Sequence, residues 1–382
     1  MKLTAKGQHA ILGALVADAA TMGFHWLYDQ SRIRQLAPQA PEFRQPDAAD
    51  YEGVPGYFAH PKKRAGDLSQ YGEQAMVMLQ CLADNNGQYE QAQYQAAFCS
   101  HFGYGGEYVG YIDKATRGTL NNVASAESQA MQQALDLPFD GGDDVKRRLL
   151  NKVLSCAKHA SGADLRSQVE AAVRITDNTD ENVAHTMKMV DIWESVSGYP
   201  GADDRQLPAT AKLPALIACY AGSAELHAVA ESAIRVTSHN DVAAAFGLAA
   251  TDMIECAIQT GDMEQSVAAG KKSGNAKAGK LLDDALARRN ESAEEATSHF
   301  GMACDLDFGL PSVAHNVITA SGFEDAIRRN IYAGGDNCGR AIILGAIAGA
   351  CYGVGGAAGI PQAWLDKTGV VDRAQSLIAQ LS

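Results

Sequence analysis

Proline is scarce, 11 of 382 residues, aromatics make up only 7% of the chain, and runs of the β-branched and aromatic residues that strands prefer are few. That composition leans strongly to helix over sheet. Tight cysteine spacing is also missing. Cys81, Cys99, Cys156, Cys219, Cys256, Cys304, Cys338 and Cys351 stand far apart with no CxxC pair, so they read as buried, reduced thiols of a cytoplasmic protein rather than a disulfide framework. Positive charge is in deficit: 32 Lys+Arg against 45 Asp+Glu leave a net charge of −13, and the cations are scattered. No nucleic-acid partner is expected from such a surface. There is no GxSxG elbow, no Walker loop and no HxxxH or Cys/His zinc spacing among the ten histidines, which removes the commonest sequence-readable catalysts.

Two apolar stretches imitate other things. Ala10 to Met22, preceded by Lys2 and Lys6, has the outline of a secretion signal, but Asp18 lies inside it. Residues 341 to 360 carry no charge and reach the length of a membrane span. Six glycines, a Gly-Val-Gly-Gly turn at 353 to 356 and Pro361 cut that run to a helix of about 10 to 15 residues. A buried helix with close backbone approach at its glycines is expected, and no membrane partner. The same turn makes a poor dinucleotide fingerprint, because Pro361 and the end of the sequence leave no room for a following βα unit.

What the sequence has in abundance is alanine, 66 residues, which favours helix. Ile11, Leu12, Leu15, Val16, Ala19 and Met22 recur at three- and four-residue steps, the period of a core-facing helix. Helical patterning returns at Gly72 to Leu82, at Tyr89 to Phe102 and from Asp144 to Gln259, punctuated at 103–106, 140–143 and 197–201. Gln30 to Pro61 holds five prolines and neither period, and is expected to be a long ordered loop serving a site. Lys271 to Asn290 reads as a solvated helical excursion. Without a linker or an internal repeat, the expected architecture is one compact all-α, multi-helix domain over residues 1–382.

Four segments bring polar groups to helix starts. Gly334-Gly335-Asp336-Asn337-Cys338-Gly339-Arg340 precedes the uncharged run, where Asp336 serves either as a helix cap or as a metal or substrate ligand. Residues 62–74, with Asp67, Tyr71 and Glu73, open the Met76/Leu79/Leu82 helix; a solvated loop whose Glu73 complements the helix dipole would explain the same charges. Residues 101–113 offer Tyr104 and Tyr108 beside flexible glycines, either as stacking surface or as filler between helix ends. Asp203 and Asp204 in 201–206, and Asp241 in Thr237-Ser238-His239-Asn240-Asp241, stand before Ala-rich helices as caps or ligands.

Taken together, Asp18, the polar loop before the Met/Leu helix, TSHND at 237–241 and GGDNCGRAIILGAIAGACYGVGGAAGIPQAWL resemble the ADP-ribosylglycohydrolase family. HWLYD at 25–29, KKRAGDLSQYGEQ, GYIDKATRGTL and GADDRQLPATAKLPAL look most like its J1-crystallin branch. The resemblance implies a compact all-α fold whose helix-initiating loops converge on one cleft. There, active members hold two magnesium ions and cleave a glycosidic bond to ADP-ribose. It also implies a departure: Ser69-Gln70-Tyr71-Gly72 stands where active members carry Thr-Asp-Asp, and Cys338 falls on their second C-terminal Asp. A thiol is a soft ligand that suits magnesium poorly.

The resulting expectation is a divergent hydrolase acting on an ADP-ribosyl or related nucleotide-sugar substrate, with magnesium or manganese at fewer than two sites or none. Asp67 or Glu73 would activate water, and Asp336 would be a metal ligand, with Cys338 a doubtful second. Tyr71, Tyr104 and Tyr108, with Asp203 and Asp204, would bind substrate. The alternative is a silent nucleotide-binding or crystallin-like structural member. Convergence of Asp67, Glu73 and Asp336 on one shell favours the first; a cleft filled by Tyr71 favours the second.

Overall fold

The computed structural model describes residues 2–157, 160, 162–196, 200–273 and 275–382. Among them are nineteen α-helices, three short 3-10 helices and four isolated bridges, with no strand. Most of the turn expected at 197–201, residues 197–199, lies outside the described residues. No helix among the described residues is long and apolar enough to cross a membrane.

Contacts divide the chain into two compact units, residues 1–117 with 202–382, and residues 118–201. The second unit takes most of the helix Lys114–Asp136 together with Asp143–Ala157, Gly162–Thr176 and Asp180–Val196. Leu149, Val153, Leu165, Val169, Val173, Met189 and Val190 form its core.

The first unit is organised by the helices Ala5–Thr21 and Asn337–Tyr352. Both are apolar around most of their circumference, and a helix of that kind has to be enclosed by others. Glycines let the two backbones meet, as the sequence suggested: a Cβ on Gly345 would lie 2.4 Å from the carbonyl oxygen of Gly13, and one on Gly349 2.3 Å from that of His9. The helices Gln70–Asp84, Leu213–Tyr220, Asp241–Thr260, Leu306–Thr319 and Phe323–Tyr332 pack around the pair.

Two expectations need correction. Gln30 to Pro61 is not loop throughout: Asp29 caps a helix over Gln30–Leu36 by accepting from the Arg32 N–H at 2.9 Å, and Ala48–Tyr51 forms a 3-10 turn. Buried Asp50 ties the segment together through a paired contact with Arg44 at 2.6 and 2.7 Å. Nor is the region 271–290 only solvated. In the helix Ala276–Ala287, Ala278, Leu282 and Ala285 are buried, a spacing obscured in the sequence by the lysines and aspartates between them.

Candidate functional site

The site is built where three pieces of backbone meet. Gly334 and Gly335 adopt φ of 68° and 65°, which folds the chain back tightly before the helix Asn337–Tyr352. A Cβ on Gly335 would lie 2.1 Å from the Met302 carbonyl oxygen, so the turn also needs the missing side chain. Fully buried Arg340 fastens this loop by donating to Gly334 O and to Asn330 Oδ1, while Asn330 donates to Asn337 O at 2.7 Å. Alongside runs His25-Trp26-Leu27. Trp26 sits at φ 62°, a strained conformation for an aromatic residue, held by its N–H to Gly335 O at 2.9 Å and by the Tyr57 N–H to its own carbonyl at 3.0 Å. Ser69 opens the third piece, capping the helix Gln70–Asp84 through the Tyr71 N–H.

Asp336 is at the centre, wholly buried. Its Oδ2 accepts from the Tyr71 hydroxyl at 2.6 Å, and its Oδ1 accepts from the His25 Nε2–H at 3.0 Å and the Gly339 N–H at 3.1 Å. Burial alone would raise its pKa, but these bonds and a further one from the Cys304 thiol hold the carboxyl below its ordinary value. The other nitrogen of His25, Nδ1, lies 2.7 Å from Nε2 of buried His60, and the two rings stack with centroids 5.0 Å apart. Burial, then His25 and Lys63, push His60 well below the ordinary histidine range, and its Nδ1 has no partner among the described residues. Tyr71, with no solvent exposure, is pushed up by burial and by Asp336.

Polar residues flank this centre. Asp18 accepts from both the N–H and the hydroxyl of Ser69, and burial pushes it up to about 7. Burial raises Asp113 to about 6 although it accepts from the Thr116 N–H at 2.7 Å, and lowers fully buried Lys212 to about 7. Lys212 donates to the Thr237 hydroxyl. Toward solvent stands an aromatic wall: Trp26 meets Tyr111 edge-on at 4.8 Å, and Tyr57, 57% exposed, lies 5.9 Å from Trp26 and 5.8 Å from Tyr111.

The residues singled out from the sequence do not all gather here. Tyr71 and Asp336 do. Asp67 closes a local turn, accepting from the Arg64 N–H at 2.7 Å. Glu73 is held by Lys63 at 2.9 Å and His101 at 3.1 Å, contacts that keep it below its ordinary pKa despite burial. Tyr104 is fully exposed, and Tyr108 packs on Phe102 with its hydroxyl donating to Tyr111 O at 2.8 Å. Asp203 accepts from Asn240 at 2.6 Å and Asp204 from the Gln206 N–H at 2.9 Å, in a place where Ala202 and Ser238 pair. His25, His60, Asp113, Lys212, Trp26, Tyr57 and Tyr111 were not named as site residues, although HWLYD at 25–29, GYIDKATRGTL and GADDRQLPATAKLPAL carry five of them.

The donor set does not fit a divalent ion. Magnesium and manganese take several oxygen ligands, largely anionic. The lone pairs of Asp336 instead face O–H, N–H and S–H donors, and Asp18 is satisfied by Ser69. Burial keeps the Cys338 thiol protonated, its pKa well above the ordinary value. Among the described residues no group of three or more His, Cys, Asp or Glu is arranged to hold a metal. A surface groove of about 710 Å³ lies elsewhere, at Arg34, Arg289, Arg328 and Arg329, but these are paired with Glu294, Glu264, Glu42 and Asp325.

Comparison with known proteins gives three findings. The family model described as ADP-ribosylglycohydrolase matches residues 2–382. Crystallin J1A of Tripedalia cystophora is 26% identical over 373 residues, 95% of this chain and 92% of that protein; crystallin J1B of the same organism is 29% identical over 186 residues, 47% and 54% of the two chains. A solved structure titled "ADP-ribosylglycohydrolase-related protein complex" aligns with a TM-score of 0.56 at 16% identity, covering 98% of this chain and 96% of the other, and so shares the all-α fold.

Proposed function

Because the chain belongs to the ADP-ribosylglycohydrolase family, we propose that it is a divergent member that binds an ADP-ribosyl group or related nucleotide-sugar without divalent ions. The ligand is either a free small molecule or the modification on an ADP-ribosylated partner. The observation that carries this reading is the Tyr71 hydroxyl seated on Asp336, with the Trp26–Tyr57–Tyr111 wall beside it. A buried polar floor bordered by buried Trp26 and by the more exposed rings of Tyr57 and Tyr111 suits a base or sugar, since aromatic faces stack on either.

Metal-assisted hydrolysis is the less favoured reading. General-base work needs a carboxylate within hydrogen-bond reach of the attacking water, and Asp67 and Glu73 are both engaged away from Asp336. A structural, crystallin-like role has one specific observation in its favour, the similarity to crystallin J1A along 95% of the chain. The eight free thiols support a reducing compartment such as the cytoplasm.

The test is a fluorescence titration with ADP-ribose in the presence of a chelator, on the wild type and on Trp26→Phe. Saturable quenching in the wild type that is lost or reduced in the variant is expected. No saturable change in fluorescence or in melting temperature at any ADP-ribose concentration would favour the structural role.

A further inference from the structure

Tyr71 donates to Asp336, and buried Cys338, two residues further on, offers a neutral thiol and no carboxylate. We infer that protons occupy the place of a divalent cation on Asp336: the Tyr71 O–H on one oxygen, and on the other the first link of an Asp336–His25–His60 relay. The idea deepens the metal-free reading of the cleft and rests on it.

An ionised carboxylate offers about four acceptor directions and no donor. On Asp336 these face Tyr71, His25, the Gly339 N–H and the Cys304 thiol. A cation bound within about 2.0 to 2.6 Å of the same oxygens would confront the hydrogens of all four groups. Since the carboxylate only accepts, Nε2 of His25 carries a proton. Its Nδ1 lies 2.7 Å from Nε2 of His60, close enough to require one proton between the two nitrogens. The relay is continuous from Asp336 to His60, and both rings are buried.

The sequence change and the geometry are complementary. Residues 69–72 carry no carboxylate and position 338 is a thiol, which leaves Asp336 as the anion of the centre, and a buried anion needs hydrogen bonds or a counter-charge. Tyr71 supplies a neutral donor, and buried Arg340 supplies charge without touching the carboxylate. Neutral and protonic partners replace the ion while the helix-opening loop keeps its shape.

The experiment is a manganese titration of the full chain read by electron paramagnetic resonance, with melting temperatures recorded in magnesium and in chelator. No stoichiometric manganese binding and unchanged melting are expected for the wild type. Tyr71→Asp with Cys338→Asp should gain manganese affinity by about tenfold or more. Stoichiometric manganese bound by the wild type and lost in Asp336→Asn would overturn the inference, as would a folded double variant with no gain. If circular dichroism shows the double variant unfolded, imidazole proton NMR on the wild type decides. Slowly exchanging His25 and His60 protons that survive magnesium support the relay; their absence, or their loss on adding magnesium, refutes it. Failure of ADP-ribose to bind, with manganese also excluded, would sink the ligand reading while leaving the relay standing.

Discussion

The Tyr71 hydroxyl lies 2.6 Å from Oδ2 of Asp336, and neither side chain is reached by solvent. The contact joins the first turn of the helix Gln70–Asp84 to the loop before Asn337–Tyr352, residues 265 apart. Tyr71→Phe keeps the ring and removes one donor from a buried anion. Urea denaturation should show a loss of about 1 to 3 kcal/mol; an unchanged midpoint would mean that Asp336 does not depend on Tyr71.

The histidine relay should behave as a unit. His25→Ala, His60→Ala and the double variant form a cycle whose coupling energy is expected to be about 0.5 to 3 kcal/mol, because His60 bonds to His25 rather than to the carboxylate. Strictly additive losses in chemical denaturation would contradict the connection.

Lys212 provides a pH signature. Its folded pKa, lowered by burial to about 7, lies below the ordinary 10.5, so above about pH 7 the unfolded chain binds the extra proton. The cost of burying the amine is therefore full below the folded value and fades as pH rises toward the unfolded one. Lys212→Met should be more stable relative to wild type at about pH 7 than at about pH 9, the difference shrinking by roughly 2 to 3 kcal/mol. Parallel stability curves for the two proteins would show that Lys212 titrates normally.

Gly345 reverses a familiar rule. Alanine in a helix interior is usually favoured over glycine by about 1 kcal/mol, but here its Cβ would lie 2.4 Å from the Gly13 carbonyl oxygen. Gly345→Ala is expected to destabilise by about 1 to 3 kcal/mol through overpacking. A higher melting temperature for the variant would show that the two helices stand farther apart.

These sites differ in how legible they were. The glycines facing Gly13 and His9 could be read from the uncharged 341–360 run, because close helix packing leaves a periodic trace in sequence. Asp336 and its loop were visible for a similar reason, the Gly-Gly-Asp turn before a helix. His25 and His60 were not: they are 35 residues apart, on segments without regular period, and a relay imposes no sequence spacing. Lys212 was hidden because an isolated lysine in an apolar stretch does not reveal whether its amine reaches solvent. Asp67 and Glu73 were expected to activate water on the strength of the family resemblance, and the structure holds them locally in a turn and an ion-paired trio. Tyr71 was expected as a stacking surface, with a cleft filled by it as the alternative; the structure buries its ring and turns its hydroxyl to Asp336.

The most direct measurement is isothermal titration with ADP-ribose, in magnesium-containing buffer and again in chelator. The account predicts saturable binding with the same affinity and enthalpy in both. Binding that needs magnesium and disappears in chelator would contradict it, because Asp336 would then be holding a cation where the Tyr71 and His25 donors are placed.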